Sequence, residues 1–251
     1  MPDLASKPAS LSPVKGTHQK LDFNTASMKL PVPAYLQKIY WWAYVHPRAV
    51  RIFERGWLVN LILFGNYARL RNAALDEIGH PTSGRTLQVA CVYGDLTPRL
   101  CARHTENATL DVIDVLPIQL QNLQRKLAAD SGVSLFQRDS AALGFAAGSY
   151  DRVLIFFLLH EQPENVRRGT LAEAFRVVKP GGKIVIVDYH RPNKWNLLRR
   201  PLQALLRRLE PFADDLWQHD LAFYFPQNIK PSGIRKQTFF SGLYQKIVLT
   251  R

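Results

Sequence analysis

Apolar positions along this chain follow two rhythms. From Tyr35 to Leu75 they recur at helical spacing, through an aromatic run ending at Tyr44 and a second run from Phe53 to Tyr67, with breaks near Pro47 and Gly65. Pro33 is placed to open a helix beginning near Ala34, and His46-Pro47 closes it. Beyond Leu75, short apolar runs alternate with helical stretches. Thr86–Val92, Thr109–Asp114, Val133–Gln137, Tyr150–Leu159 and Lys183–Val187 predict strands. Helices are predicted from Thr97-Pro98, from Pro117 to about Asp130, and from Gln162 to Val178, the last ended by Lys179-Pro180-Gly181-Gly182. Tyr150–Leu159 is nearly unbroken apolar sequence, as a central parallel strand covered on both faces requires. Arg235–Phe240 and Tyr244–Thr250, separated by Ser241-Gly242-Leu243, predict a closing antiparallel hairpin. The fold class is therefore α/β, a mostly parallel sheet with an N-terminal helical cap and a C-terminal hairpin.

Residues 1–30, rich in Ser, Pro, Ala and Lys without a period, predict a disordered lead-in. Residues 31–80 form the cap and 81–251 the main domain. With 251 residues, 47% of them hydrophobic, the chain can bury the core of one catalytic domain. Two cysteines, Cys91 and Cys101, are too few for a disulfide framework and indicate a reduced, cytoplasmic protein.

Charge changes the picture. A formal net charge of +13 favours an anionic partner, either nucleic acid or the anionic inner face of a membrane. No apolar run reaches the roughly eighteen residues needed to span a bilayer, and the N-terminus lacks the order of a secretory signal. Asn193–Leu209 predicts a basic helix carrying Lys194, Arg199, Arg200, Arg207 and Arg208, with no acid before Glu210. Such a helix is either a solvated face or a membrane-contacting patch. The aromatic cap can simply pack on the domain, or it can also line a greasy channel in a lipid interface, where Arg48, Arg51 and Arg55 would suit phosphate headgroups.

Candidate chemistry gathers where an open parallel sheet places ligands, beyond the carboxyl ends of its strands. Thr86–Asp114 describes a βαβ unit for a nucleotide-like ligand, with Asp114 about twenty residues after Gly94, the separation that brings a carboxylate to ribose hydroxyls. Asp114 can otherwise be a strand-end cap, and Asp139, expected at an adenine edge, can be a turn residue. Ala90, Val92, Gly94, Asp95, Asp114 and Asp139 are the candidate cofactor-binding positions. Tyr93, His160 and His190 are the candidate catalytic side chains. His160, Glu161, Asp188 and His190 stand at the ends of two neighbouring strands, and a mixed histidine and carboxylate set suits a divalent metal such as manganese or supplies a general base. Each histidine can equally be a satisfied polar residue.

Two stretches carry a family resemblance. Ala174-Phe175-Arg176-Val177-Val178-Lys179-Pro180-Gly181-Gly182-Lys183, with Ser149–Val153 upstream, resembles the ubiquinone/menaquinone C-methyltransferases over roughly residues 84–190. This implies a Rossmann-like class I fold binding S-adenosylmethionine (SAM). Laid over that class's pattern V-L-D-V-G-C-G-T-G, the chain has Gln88 for the acid and Ala90, Val92 and Gly94 for the glycines, so only one glycine remains. Each lost glycine adds a side chain where backbone approaches ligand, and β-branched Val92 disfavours positive φ. The loop Val89–Thr97, together with Trp57–Tyr67, resembles the rhodoquinone-biosynthesis (RquA) family from about Pro33 to the C-terminus. That resemblance implies conversion of ubiquinone to rhodoquinone, a ring methoxy group being replaced by an amino group from SAM in a manganese-dependent reaction. It implies manganese held by some of Glu161, His160, Asp188 and His190, with His160 or His190 as base, and peripheral docking on the anionic inner leaflet. A conventional SAM-dependent methyltransferase acting on a quinone or phospholipid leaves the missing glycines unexplained. A non-catalytic scaffold leaves Asp114, His160 and His190 unexplained, and nucleic-acid methylation is the remotest alternative.

Overall fold

The computed structural model describes residues 30–196, 199–209 and 211–251. The lead-in expected over residues 1–30 lies, but for Leu30, outside the described residues. Seven strands form one sheet in the order β3-β2-β1-β4-β5-β7-β6: β1 (Arg85–Val89), β2 (Thr109–Asp114), β3 (Val133–Gln137), β4 (Tyr150–Phe156), β5 (Val178–Tyr189), β6 (Gly233–Phe239) and β7 (Tyr244–Thr250). The first five run parallel, and β7 inserts antiparallel between β5 and β6. This is the Rossmann-like SAM-methyltransferase architecture, with strand order reversing between β1 and β4.

The core follows from period-two alternation in strands buried on both faces. Val153 and Ile155 of β4 join Ile184 and Ile186 of β5 on one face, under Leu171, Ala174 and Phe175 of α7 (Glu164–Val177). Leu154 and Phe156 join Val185 and Val187 on the other, under Leu70, Ala74 and Ile78 of α4 (Tyr67–Ile78). The buried stripe of α4 includes Tyr67, Leu70, Arg71, Ala74, Leu75 and Ile78, the i, i+3, i+4, i+7 spacing of a helix lying on a sheet.

Element boundaries differ from expectation where the backbone breaks. Strand β4 ends at Phe156, not Leu159, because Phe157 takes a φ of +50°, and the chain then winds a 3-10 turn, Leu159–Glu161. The helix opened by Pro117, α6, ends at Gln124. Strand β5 begins at Val178 instead of Lys183, with its pairing to β4 shifted between Tyr150 and Arg152. The basic helix α8 spans Arg199–Leu209; the expected start at Asn193 is non-helical through Asn196, and residues 197–198 lie outside the described residues.

The N-terminal helices are short: α1 (Ala34–Lys38), a π-helical turn (Trp41–Val45), α2 (Pro47–Phe53) and α3 (Gly56–Ile62). Pro47 sits at the first position of α2, and His46 Nδ1 accepts from Arg48 N, capping that helix. Leu36 and Tyr40 pack against Leu116 beyond β2, which lays this segment over the carboxyl ends of the strands. No helix among the described residues is long and apolar enough to cross a membrane.

Candidate functional site

Between the strand ends and the N-terminal helices lies a cavity of about 530 Å³. That is the size of a small-molecule site. Its polar end is built by the loop after β1, by Asp114 and Val115 after β2, and by Asp139 and Ser140 after β3. Its other end is apolar, with Trp42, Phe53, Val59, Ile62 and Phe64 on the wall. His160 and Glu161 line the same cavity.

The loop after β1 keeps its bends with few glycines. Ala90 holds φ +74° and Gly94 φ +86°, whereas Val92 takes no positive φ. Buried Gln88, in place of the usual acid, donates to Ala90 O (2.9 Å) and accepts from Thr97 Oγ1 (3.0 Å), tying the loop to α5 (Leu96–Cys101). The donors at the far end of the loop are taken by the protein itself. Gly94 N donates to Glu54 Oε1 (3.1 Å), and Asp95 N and Leu96 N both donate to Tyr67 Oη (2.9 and 3.1 Å). Glu54 also receives Lys126 Nζ (2.8 Å) and Asn122 Nδ2 (2.5 Å), and Lys126 reaches Val92 O and Gly94 O. A Cβ at Gly94 would stand 2.5 Å from Tyr67 Oη, so this glycine is required by packing as well as by its backbone angle.

Of the expected cofactor-binding positions, Ala90, Val92, Asp114 and Asp139 line the cavity, and Gly94 and Asp95 do not. Asp95 instead pairs with Arg71 (2.6 Å) and Arg99 (2.5 Å), which hold its carboxyl below the usual range against the opposing effect of burial. Asp114 accepts from Cys91 N (2.9 Å) and Leu116 N (2.8 Å), yet burial pushes its pKa up to about 6. Hydroxyls donated by a ligand would relieve that cost, so the site fits a ribose. Burial, then Asp114, pushes the Cys91 thiol well up, so it is no nucleophile. Asp139 accepts from Ala141 N (2.8 Å) and faces the same cavity. Tyr35 lies close enough to Glu161, Asp139 and Asp114 that, after burial itself, their charges raise its phenol.

The expected catalytic residues separate. His160 is buried with Nδ1 2.8 Å from Asp188 Oδ1, so an imidazole donating there keeps Nε2 as an acceptor, 3.7 Å from Glu161 Oε1. The 3-10 turn that presents it is clamped by buried Arg167, whose Nε donates to Leu159 O (2.8 Å) and Nη2 to Gln162 O (2.9 Å). Tyr44 donates to Glu161 from the π-helical turn. Tyr93 lines the cavity, but its hydroxyl donates to Ala43 O (2.7 Å) and accepts from Gln119 Nε2 (2.9 Å), while its ring stacks on Tyr44 and Phe53. It therefore positions the N-terminal segment. His190 does not line the cavity: Nδ1 lies 2.8 Å from Gly242 O, and burial lowers its pKa.

The four-ligand metal set is corrected on the same geometry. Asp188 is fully buried behind His160, its Oδ1 also accepting from Tyr189 N (2.7 Å) and its Oδ2 from Leu159 N (2.8 Å), and His190 is held by the β6–β7 turn at Gly242 O. Among the described residues, no three His, Cys, Asp or Glu side chains are grouped to hold a metal ion. The residues do not fit manganese in the arrangement expected.

Sequence reasoning missed Glu54, Tyr67 and Tyr44, which act across long chain separations, and Arg167, which clamps the turn from eight and five residues away. One signal was available: Glu54 is the sole acid between Leu30 and Leu75, among six cations.

Comparison with known proteins agrees with the architecture. Residues 86–182 match the methyltransferase-domain family. The ubiquinone/menaquinone biosynthesis C-methyltransferase UbiE of Geotalea daltonii is 29% identical over 68% of this chain and 74% of that protein. The demethylmenaquinone methyltransferase of Bacillus licheniformis is 25% identical over 66% and 75%. In fold, the N-methyltransferase NodS of Bradyrhizobium japonicum superposes with a TM-score of 0.53 at 14% identity, covering 76% of this chain and 96% of that one. Residues 86–182 are thus similar to the methyltransferase-domain family, and about two thirds of the chain is similar to proteins named as ubiquinone/menaquinone and demethylmenaquinone methyltransferases.

Proposed function

We propose that the protein binds SAM against Asp114 and Asp139 and uses it to convert ubiquinone to rhodoquinone, replacing a ring methoxy group by an amino group. The observation that carries this reading is the occupied loop. Glu54 and Tyr67 take the amides of Gly94, Asp95 and Leu96, donors of the kind that elsewhere hold an anionic group at a helix start. In this reading the amino-acid end of SAM lies away from those amides, within reach of His160, which lines the same cavity.

His160 Nε2 would take a proton from the donor's ammonium, with Asp188 holding the imidazole in the required tautomer. The freed amine adds to the methoxy-bearing ring carbon, and methanol leaves with the proton that the amine gives up. The quinone's long apolar tail accounts for the apolar end of the cavity, and its source is a membrane on whose anionic face the protein would dock peripherally. Manganese has no place in this sequence of steps, because Asp188 is spent on His160 and two backbone amides and His190 is held at Gly242 O.

A second reading is methyl transfer to a quinone ring, favoured by relatives named as C-methyltransferases. One assay separates the two. The purified protein is incubated with SAM and a short-tailed ubiquinone, with and without manganese, and the quinone product is weighed. Exchange of methoxy for amino lowers the mass; a rise establishes methylation and rejects the first reading; an unchanged quinone rejects both.

A further inference from the structure

Most of the large apolar side chains exposed on the described surface fall in one short stretch of chain, Trp41 to Phe64. Helix α3 sits at its centre, with the sequence Gly-Trp-Leu-Val-Asn-Leu-Ile. It carries no charge, and none of its residues is buried. Trp57 and Leu61 are 63% and 64% exposed. A single exposed apolar side chain is ordinary, but an uncharged helix that meets the core through half-buried Val59 and still leaves Trp57, Leu61 and Ile62 open is not.

The charge around it has one sign. Arg48, Arg51 and Arg55 of this stretch are exposed, and its one acid, Glu54, is turned inward onto Gly94, Asn122 and Lys126. Indoles at the edge of an apolar patch, ringed by arginines with no exposed acid, are what an interfacial segment presents to anionic headgroups. The patch also meets the site. Trp42, Leu61, Ile62 and Phe64 are exposed and at the same time line the cavity, so the cavity mouth opens within the patch.

We propose that the face from Trp41 to Phe64 docks on an anionic lipid bilayer, with α3 lying among the lipids and the cavity mouth opening directly into them. The docking stands on the surface alone; passage of a long-tailed substrate through the mouth rests on the quinone reading above. A second copy of this chain is the competing occupant, disfavoured because two arginine-ringed faces would meet like charge to like.

Vesicle sedimentation tests it, with phosphatidylcholine alone or mixed with phosphatidylglycerol. The unaltered protein should sediment with the mixed vesicles and much less with the neutral ones. Trp57→Glu combined with Ile52→Glu, both outside the cavity wall, should weaken binding about tenfold or more. Arg48→Gln, Arg51→Gln and Arg55→Gln together should weaken binding to the mixed vesicles on the order of a hundredfold, at about 1 kcal/mol per charge. An unchanged circular dichroism spectrum controls for folding. Undiminished binding in both variants overturns the proposal, as does an unaltered protein that ignores vesicles and forms a dimer that the glutamate variant dissociates.

For the mouth, turnover of long-tailed ubiquinone in mixed vesicles is compared with that of a short-tailed quinone free in solution. The glutamate variant should lose the former and keep the latter; equal effects on both overturn the portal. Failure of the unaltered protein on either quinone counts against the substrate reading, and sedimentation then decides the docking independently.

Discussion

Strands β4 and β5 lie side by side, and each delivers a histidine just beyond its carboxyl end, yet the two ends are put to different uses. After β4 the backbone breaks at Phe157 and winds into a 3-10 turn, which swings His160 into the cavity over Asp188. Strand β5 continues in register with β7 as far as Tyr189, so His190 emerges against the β6–β7 turn and is held by Gly242 O. At β4 the early break brings the histidine to the ligand side, whereas at β5 continued pairing leaves the histidine to the neighbouring turn.

The sharpest way to break this comparison is to remove each histidine in turn. His160→Ala should lower kcat by about 10²–10⁴ while SAM affinity stays within a few-fold, read by turnover and calorimetry. His190→Ala should leave kcat within a few-fold and act only on stability, by about 1 kcal/mol in denaturant unfolding. Equal losses of kcat in both would erase the distinction. Asp188→Asn should follow, lowering kcat about a hundredfold or more, with an altered pH profile for kcat. A purely structural role would leave that profile unmoved.

Asp114 marks the opposite rim, and Asp114→Asn should weaken SAM about 10–100-fold, the worth of hydrogen bonds to a charged group. Its pH dependence has a definite sign. The folded pKa of about 6 lies above the usual carboxylate value, so the folded state holds the extra proton between the two. Without ligand, stability therefore falls as pH rises through that window, while SAM affinity weakens as pH falls below about 6. Affinity unchanged from pH 7.5 to 5 would remove Asp114 as the ribose acceptor. Glu54→Ala should cost about 1–3 kcal/mol of stability and weaken SAM binding, because the amide and ammonium it joins lose their partner.

The sheet was legible in the sequence because its signal is local. Strands β2 and β3 match their expected bounds, and the hairpin lies where alternating apolar runs placed it. Asp114, Asp139, His160 and Glu161 were found for the same reason, since strand ends in this topology converge on one side. The failures were non-local. Nothing in the run Asp188-Tyr189-His190 indicates that pairing with β7 would continue to Tyr189, or that Asp188 would spend both oxygens on its neighbours. Glu54 and Tyr67 act through loop amides 40 and 28 or 29 residues away, a relation that periodicity does not encode.

Ala90 carries one more consequence. A left-handed backbone costs an alanine about 1–2 kcal/mol, yet the φ of +74° is held. The bend is therefore a property inherited from the surroundings, with Gln88 gripping the Ala90 carbonyl from within the strand. A lineage can shed the residue that first made such a curve easy and retain the curve itself, so searching for glycines alone will pass over descendants that still possess the pocket.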